Sequence, residues 1–457
     1  MILIPRLRAV VLLSSLFGLL LASPGAVAYS PGIPDTLADS TVVRNWTLEN
    51  GLRVVTRHIP DAGGVAVTLA YDIGSADDPP GREGLAQLLC EVVYTAPAGD
   101  IPERTREDLA SLRPIGWSFI ATRRYTMFTE ISKTRQFPGV LQQVATRMRG
   151  VQVTREGLQL AVGNVREQLN ERLDGPPSAM LYPRVRDVSV GYSDEVILRA
   201  AQGRGLDKIT PAQVQERIQQ LYVPANAVLS LAGNFDDLDL GTLVRSLFGS
   251  IPAGARIADT APDTLKAAVR TLQLPQVKGR QGAIGIIAPA LDDTSHPAFY
   301  LHTMLLTSHL SQVWSKLEDS GPGPFFHYAI LDEPDLARLF PPGAATTDDL
   351  GTLLDSSIAQ LYTTVITRES YQELRSTLAW LLGGPMTRGQ LDSARQDSAT
   401  LHTLARSAAG RQLLGGESFW AAYLQRFVAL PAGGLQTWMD HYNAPEHQVL
   451  LMVTPAR

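Results

Sequence analysis

The sequence predicts an α+β fold made of two similar domains, each an antiparallel-rich sheet with helices packed on it. Short strands with alternating apolar residues are followed by runs of helical spacing, and this order occurs twice along the chain. Between the two occurrences, residues 251–266 are rich in Pro, Ala, Gly and Asp, which is typical of a linker. We therefore expect one domain over residues 41–250 and the other over residues 267–457.

The N-terminus has the pattern of a secretory signal peptide over residues 1–28. Two arginines, Arg6 and Arg8, precede an apolar stretch at 9–22, and Ala26–Ala28 forms a cleavage site with small residues. Residues 29–40 are predicted to be a loose N-terminal segment. No later run of roughly 18 apolar residues occurs, so we expect no membrane span after signal cleavage. The expected location is therefore secreted or periplasmic.

Composition limits the class of protein and of partner. The chain has 457 residues, of which 45% are hydrophobic and 19% charged, with a net charge of −5. This balance excludes collagen-like and disordered chains, and because no long basic run is present we expect no nucleic-acid partner. Cys90 is the single cysteine, so no intrachain disulfide forms and stability must come from a large core.

The first domain is predicted to open with a β-hairpin. Residues 42–48 and 53–59 alternate and flank an Asn50-Gly51 turn. The further elements predicted from the sequence are a strand at 65–71, helices at 84–94 and 103–112, strands at 117–121 and 125–131, helices at 137–148, 155–173 and 211–222, a strand at 227–231 and a closing helix at 238–248.

The second domain is predicted to repeat this order of strands before helices. Its predicted elements are strands at 269–274 and 283–287, a long helix at 297–317, a strand at 325–331, several helices between 348 and 440, and a final strand at 448–453.

Two helices of the first domain carry a polar stripe opposite an apolar one. In the helix at 84–94 the polar residues Gln87, Cys90 and Glu91 lie opposite a face of Leu and Val side chains. In the helix at 155–173 the corresponding stripe includes Asn164 and Glu171. From periodicity alone, both stripes are typical of a solvated helix surface.

Six segments in this order resemble the pitrilysin/insulinase-like metallopeptidases, the inverzincins. The resemblance covers most of residues 42–250 and, more weakly, the second half. It is carried by Tyr71–Ser75, Pro80–Gly81, Gly84–Ala86, Asn164–Glu171, Tyr222–Ala227 and Leu231–Phe235. It implies a half-clamshell of two similar domains that enclose a cavity. It also implies that the helix at 84–94 is the counterpart of that family's zinc helix.

The resemblance does not extend to the catalytic residues. The family's zinc helix carries His-x-x-Glu-His, in which both His bind zinc and the Glu is the general base. Gln87, Cys90 and Glu91 stand at those positions, Glu171 matches the third zinc ligand, and Asn164 replaces its helper Glu. Zinc needs three good ligands and a thiol is a poor general base. We therefore expect no catalytic residue, no metal site and no cofactor.

The resemblance also suggests weak candidates for substrate contact. Residues 119–122 lie where the family has Asn-Ala-x-Thr on an edge strand that holds peptide, with Ile120 at the Asn position. Because strand addition uses backbone groups, Ile120, Ala121 and Thr122 remain candidates for peptide binding. The stretch 310–318 has Gln312 and Glu318 where the family has Arg. Tyr328 is the candidate for the substrate-contacting Tyr, and a core position is the alternative.

The resemblance implies a non-catalytic homologue that forms the inactive half of a heterodimeric peptidase. Its expected partners are an active pitrilysin-like paralogue, whose chamber it completes, and peptides. One alternative is an active metallopeptidase with an altered metal site at Glu91, Glu171 and Cys90, the only case in which zinc is expected. The other alternative is a structural scaffold protein of the cell envelope.

Overall fold

The computed structural model describes residues 42–112, 115–174, 177–235, 238–257, 263–274, 277, 279–315, 325–340, 346–352, 355, 368–431, 441–442 and 444–455. The predicted signal peptide and the segment 29–40 lie outside these residues. None of the helices within the described ranges is long and apolar enough to cross a membrane.

The first half of the chain builds a six-stranded sheet. Its strands are β1 (Val42–Thr47), β2 (Arg53–His58), β3 (Gly64–Tyr71), β4 (Trp117–Ala121), β5 (Thr126–Lys133) and β6 (Ala227–Gly233). The strand order is β1-β2-β6-β3-β5-β4. All neighbours are antiparallel except β2 and β6, which are parallel. Strands β1 and β4 therefore form the two edges of this sheet.

Eight helices accompany this sheet among the described residues. They are α1 (Leu85–Thr95), α2 (Arg106–Leu112), α3 (Phe137–Arg149), α4 (Arg155–Asp174), α5 (Pro177–Val190), α6 (Asp194–Ala201), α7 (Pro211–Leu221) and α8 (Leu240–Phe248). The apolar sides of α1, α3, α4, α7 and α8 join one face of the sheet in a single buried cluster. This burial is the main source of stability for the first half.

The second half builds a five-stranded sheet with its own helices. Its strands are β7 (Ala268–Leu274), β8 (Gln281–Ile287), β9 (Phe325–His327), β10 (Leu336–Phe340) and β11 (Gln448–Pro455), in the order β7-β11-β8-β10-β9. The labelled helices are α9 (His296–Ser315), α10 (Arg368–Ala379), α11 (Arg388–Gln396), α12 (Ser398–Leu413) and α13 (Gly416–Val428). Within this second sheet, β7 and β11 are the only described neighbours that pair in parallel.

Each half sends one helix onto the sheet of the other half. Helix α12 lies on the second face of the first sheet, where Ala408 and Ala409 pack against Val55 and Val228. Helix α5 packs on the second sheet through Val185, and a Cβ at Gly285 would lie 2.6 Å from the Val185 Cγ1 atom. Small residues at these crossings permit close approach, so the two halves fold as one packed unit.

The α+β class with two antiparallel-rich sheets is confirmed. Helices α5 and α6 and strand β10 were not predicted from the sequence, and the strand predicted at 325–331 ends at His327. Helix α5 was missed because Pro183 and Arg184 interrupt its pattern, and its apolar residues are buried by the other half of the chain. The domain boundaries and the linker at 251–266 remain predictions.

Candidate functional site

Helix α1 begins at a well-defined cap. Gly84 adopts the left-handed conformation with φ +95°, and the Asp78 carboxylate accepts hydrogen bonds from the Gly84 and Ala86 N–H groups at 2.8 and 2.7 Å. Every residue of α1 except Gln87 is buried. The polar stripe of α1 is therefore not a solvated surface, as periodicity alone suggested, but a buried polar site facing α4 and α2.

Glu91 is the centre of this site. Its side chain has no solvent exposure, and its carboxylate accepts four hydrogen bonds. Arg106 donates through Nη2 at 2.6 Å and through Nε at 3.3 Å, and Asn164 and Gln168 donate side-chain N–H groups at 2.9 and 3.3 Å. The guanidinium therefore balances the charge of the Glu91 carboxylate. Together with the two amides, it supplies each carboxylate oxygen with two hydrogen bonds.

Gln87 joins the same network through the later helix. Its Nε2 atom donates to the Gln168 Oε1 atom at 3.1 Å. Asn164, Gln168 and Glu171 share one face of α4, but Glu171 lies one turn further along and is exposed. No described contact joins Glu171 to Gln87 or to Glu91. The geometry therefore favours Gln168 over Glu171 as the residue facing the two altered motif positions.

Cys90, to which the resemblance assigns the position of the general base, is fully buried. Burial, together with the negative charge of the adjacent Glu91, raises the pKa of the Cys90 thiol well above its usual value. The thiol is therefore neutral at physiological pH. A neutral, buried thiol does not take a proton from water.

The residues at these positions do not fit zinc. Gln87 and Gln168 offer neutral amides, and the Glu91 carboxylate is paired with Arg106. Zinc sites in proteins use thiolate, imidazole and carboxylate ligands. Within the described ranges, no group of three or more His, Cys, Asp and Glu side chains is placed to hold a metal ion.

The edge strand β4 lies beside the Glu91 network. Phe119 is buried, its ring lies 5.1 Å from the Arg106 guanidinium, and it contacts the Tyr94 ring at 4.9 Å. Ile120 points to the opposite face of the sheet and packs on the α12 side. Phe119, rather than Ile120, is thus the β4 side chain that reaches the network.

The other substrate-binding candidates lie in different surroundings. Ala121 packs against the core of the first half, and Thr122 forms the turn from β4 to β5 by accepting the Tyr125 N–H at 3.1 Å. Tyr328 is 4% exposed, and its hydroxyl donates to the Pro334 carbonyl at 2.5 Å. Tyr328 is therefore a core residue of the second half. The Gln312 side chain and Glu318 lie outside the described residues.

Arg106 and the role of Gln168 were missed from the sequence. Arg106 lies fifteen residues after Glu91, on another helix. One signal was available: an acidic residue at a buried position of an apolar helix requires a cationic or hydrogen-bonding partner. No rule of spacing identifies which of the chain's 40 basic residues supplies it.

Comparisons with known proteins agree with this architecture. Residues 208–397 match the family model described as the peptidase M16 inactive domain. An uncharacterised zinc protease of Mycobacterium tuberculosis is 27% identical over 226 residues, which are 48% of this chain and 49% of that protein. The chain thus spans about half the length of the curated relatives it matches.

Solved structures share the fold at low identity. A protease from Helicobacter pylori superposes with a TM-score of 0.72 at 17% identity, over 91% of this chain and 100% of that one. The first half of the periplasmic protease PqqL from Escherichia coli superposes with a TM-score of 0.62 at 14% identity, over 93% of this chain and 94% of that one. When this chain is superposed on the whole PqqL protein, it covers 48% of that protein.

Proposed function

We propose that this chain, a member of the pitrilysin-like (M16) peptidase family, is an exported, non-catalytic subunit that pairs with an active paralogue. In this proposal it contributes to binding peptide and completes the chamber in which the partner cleaves it. The alignment covers one half of a longer periplasmic protease almost completely, which supports the role of one half of a two-part enzyme.

The observation that carries the proposal is the Glu91 network. The resemblance makes α1 the counterpart of the family's zinc helix, with Gln87, Cys90 and Glu91 at the ligand and base positions. Gln87 and Glu91 are linked by hydrogen bonds to Gln168, and Glu91 is also linked to Arg106. A network of this kind replaces the charge of a metal by that of a guanidinium. It stabilises the helix and provides neither an activated water nor a proton acceptor.

The edge of the first sheet supports a role in peptide binding. Strand β4 pairs only with β5 among the described strands, so its other side offers backbone groups. Peptides add to such edges through main-chain hydrogen bonds, with pockets reading alternate side chains. Because Phe119 and Arg106 lie where β4 meets α1, a bound peptide at this edge would run past them.

Export is part of the proposal and rests on two observations. Residues 1–28 have the pattern of a secretory signal, and a related fold is that of a periplasmic protease. As a direct test, the intact chain is expressed in a bacterium and its cellular location is determined by fractionation. The N-terminus of the mature form is then sequenced. A mature N-terminus at Tyr29 is expected, and an uncleaved cytoplasmic chain would contradict export.

The partnership is tested by reconstitution. The chain is mixed with a pitrilysin-like chain from the same genome that has an intact His-x-x-Glu-His helix, and peptide cleavage and complex size are measured. We expect a stable complex and an increased cleavage rate that depends on the zinc helix of the partner alone. Unchanged partner activity with no complex would overturn the proposal, as would cleavage by this chain in isolation that is lost in Glu91→Gln.

A further inference from the structure

The edge strand β4 has a second set of neighbours on the face of the sheet opposite to α1. Side chains alternate along a strand, so Trp117 and Phe119 lie on the α1 face, whereas Ser118 and Ile120 lie on the α12 face. A peptide strand that adds to the free edge of β4 would place every second side chain on the α12 face as well. The residues of α12 beside β4 would therefore contact those side chains.

Two polar residues of α12, His402 and Arg406, lie one helical turn apart beside β4. The His402 Nε2 atom is 2.9 Å from the Ser118 Oγ atom, which places this imidazole next to the edge strand. Burial and the charge of Arg406 lower the pKa of His402 to about 3, so the imidazole is neutral at physiological pH. The positive charge on this side of β4 is therefore that of Arg406.

The Arg406 guanidinium has no counter-ion in contact with it. Within the part of the chain that the structure describes, it forms neither a hydrogen bond nor an ion pair, and Tyr125 and Asp332 act on it only through their electrostatic fields. Burial lowers the pKa of Arg406, against the opposing effect of these two groups. Burial also raises the pKa of Asp332, to about 7, so its charge is incomplete at neutral pH. An anion in contact with Arg406 would therefore be stabilised.

The α12 crevice, formed by Ser118, Ile120, His402 and Arg406, is open enough to receive a side chain. Each of these four residues is partly exposed rather than buried. Ile120 packs with the apolar cluster beneath α12, so the crevice has an apolar wall beside its cation. A carboxylate and a guanidinium attract each other more strongly next to such a wall than on an open surface.

We propose that the β4 edge binds extended peptides that carry an acidic side chain at a position facing the α12 crevice. The peptide backbone pairs with β4, and the carboxylate pairs with Arg406. This inference rests on the proposed role of the β4 edge in peptide binding and adds the chemical class of peptide that it selects. The selecting residues belong to the second half of the chain, and the Glu91 network lies on the other face of the sheet.

The test measures the affinity of two capped peptides for the full mature chain by calorimetry. Both peptides have six residues, alternate Val and Thr, and differ only in a single Glu or Gln at the third position. We expect the Glu peptide to bind about tenfold more tightly, with an advantage that shrinks as salt rises. Equal affinity of the two peptides would overturn the acidic preference and leave peptide binding intact. Binding of neither peptide would overturn both.

The variant Arg406→Gln tests whether this residue supplies the preference. We expect the two peptides to bind it alike, because the Glu peptide loses its advantage while the Gln peptide binds as it does to the wild type. The exposed Arg388→Gln is the control and keeps the difference of about tenfold. A retained advantage in Arg406→Gln would contradict the proposal. Should this variant fold poorly, the comparison of the two peptides on the unaltered chain still decides.

The other guanidinium beside β4 provides the competing explanation. Arg106 lies on the α1 face, where the Glu91 carboxylate already balances its charge. We therefore expect the acidic preference to depend on Arg406. Loss of the preference in Arg106→Gln, together with its retention in Arg406→Gln, would assign the acidic position to the α1 face and overturn the proposal.

Discussion

Arg106 donates two hydrogen bonds to the fully buried carboxylate of Glu91, so that a guanidinium neutralises the residue to which the resemblance assigns the second-His position of the zinc helix. The pair crosses from α1 to α2 and lies against Phe119 of the edge strand. Asn164 and Gln168 donate the other two hydrogen bonds to the Glu91 carboxylate. The packing of α1, α2 and α4 against one another therefore depends on four side chains, those of Glu91, Arg106, Asn164 and Gln168.

Removing the guanidinium should destabilise the protein because it leaves a buried, charged carboxylate. We expect Arg106→Gln to lower the free energy of unfolding by about 2 kcal/mol, less than for a fully enclosed pair because the Arg106 side chain is 35% exposed. The measurement is urea unfolding followed by tryptophan fluorescence.

The matched control is the double variant Arg106→Gln, Glu91→Gln. Removing both charges relieves the unpaired carboxylate, so the double variant should recover much of the loss in a double-mutant cycle. Equal stability of Arg106→Gln and the wild type would show that the ion pair does not support α1.

A second prediction concerns which residue of α4 faces the positions that the resemblance assigns to the zinc ligands. The threefold variant Gln87→His, Cys90→Glu, Glu91→His introduces the family's His-x-x-Glu-His residues. It keeps the amide of Gln168 and the carboxylate of Glu171. Adding Gln168→Glu supplies a carboxylate at the position that contacts Gln87 and Glu91 in this chain. We expect the fourfold variant to bind Zn²⁺ about tenfold or more tightly than the threefold variant.

Zinc content after dialysis, measured by elemental analysis, distinguishes these variants. Equal zinc binding by the threefold and fourfold variants would assign the ligand role to Glu171 instead. Stoichiometric zinc in the unaltered chain would favour the alternative of a metallopeptidase with a changed site.

Most strands and helices could be predicted along the chain because local patterns were strong, whereas the order of the strands within each sheet was not predicted. Alternating strands such as β3 and the amphipathic α1 carry their own periodicity. Helix α5 was not predicted because its apolar residues are buried against β8 and β11, and its pattern reflects a surface of the other half of the chain. Contacts between residues far apart in sequence leave no periodic signal within a window of eighteen residues.

The candidate site was predictable only in part for the same reason. The altered motif at Gln87, Cys90 and Glu91 follows from the resemblance, because those positions lie on one short helix. The partner Arg106 and the contact of Gln168 depend on how three helices cross. For α1, the expectation that its polar stripe is solvated was wrong. A helix that is packed on both sides can bury polar residues that are hydrogen-bonded to a partner.

A third prediction follows from the burial of Cys90. As the only cysteine of the chain, it gives a direct readout of access to the interior of the site. We expect no measurable reaction of the native protein with a thiol-specific disulfide reagent at pH 8, and one thiol per chain in concentrated guanidinium chloride. Rapid labelling of the native protein would show that the thiol is exposed, or that its pKa is not raised.

A fourth prediction concerns Asp332, which lies where the two halves meet. Burial and the neighbouring Glu333 raise the pKa of Asp332 to about 7, against the lowering effects of Arg338, Arg186 and a hydrogen bond from Thr122. Tyr125, Tyr182 and Arg406 also interact electrostatically with it. In the unfolded chain the Asp332 carboxyl loses its proton near pH 4, which is a lower pH than in the folded protein.

Between about pH 4 and pH 7 the folded state therefore binds more protons at Asp332 than the unfolded state, and stability falls as pH rises. We expect Asp332→Asn to remove this slope and to be more stable than the wild type at pH 8, by on the order of 1–3 kcal/mol. Unfolding curves across this range, with the exposed Asp292→Asn as control, measure the difference. Parallel curves for the wild type and Asp332→Asn would exclude the raised pKa.

A fifth prediction tests whether α5 of the first half holds the second sheet. A methyl group at Gly285 would meet the Val185 Cγ1 atom at 2.6 Å and the Val449 Cβ atom at 3.1 Å, so Gly285→Ala forces the helix away from β8. We expect a loss of about 1–3 kcal/mol in unfolding free energy. Gly279→Ala, where a Cβ meets nothing within 4 Å, is the control and should change stability by less than about 0.5 kcal/mol.

Adding Val185→Ala to Gly285→Ala should restore part of the loss, because the two side chains compete for the same volume. Additive losses in that double variant would mean that α5 and β8 do not pack as the structure places them.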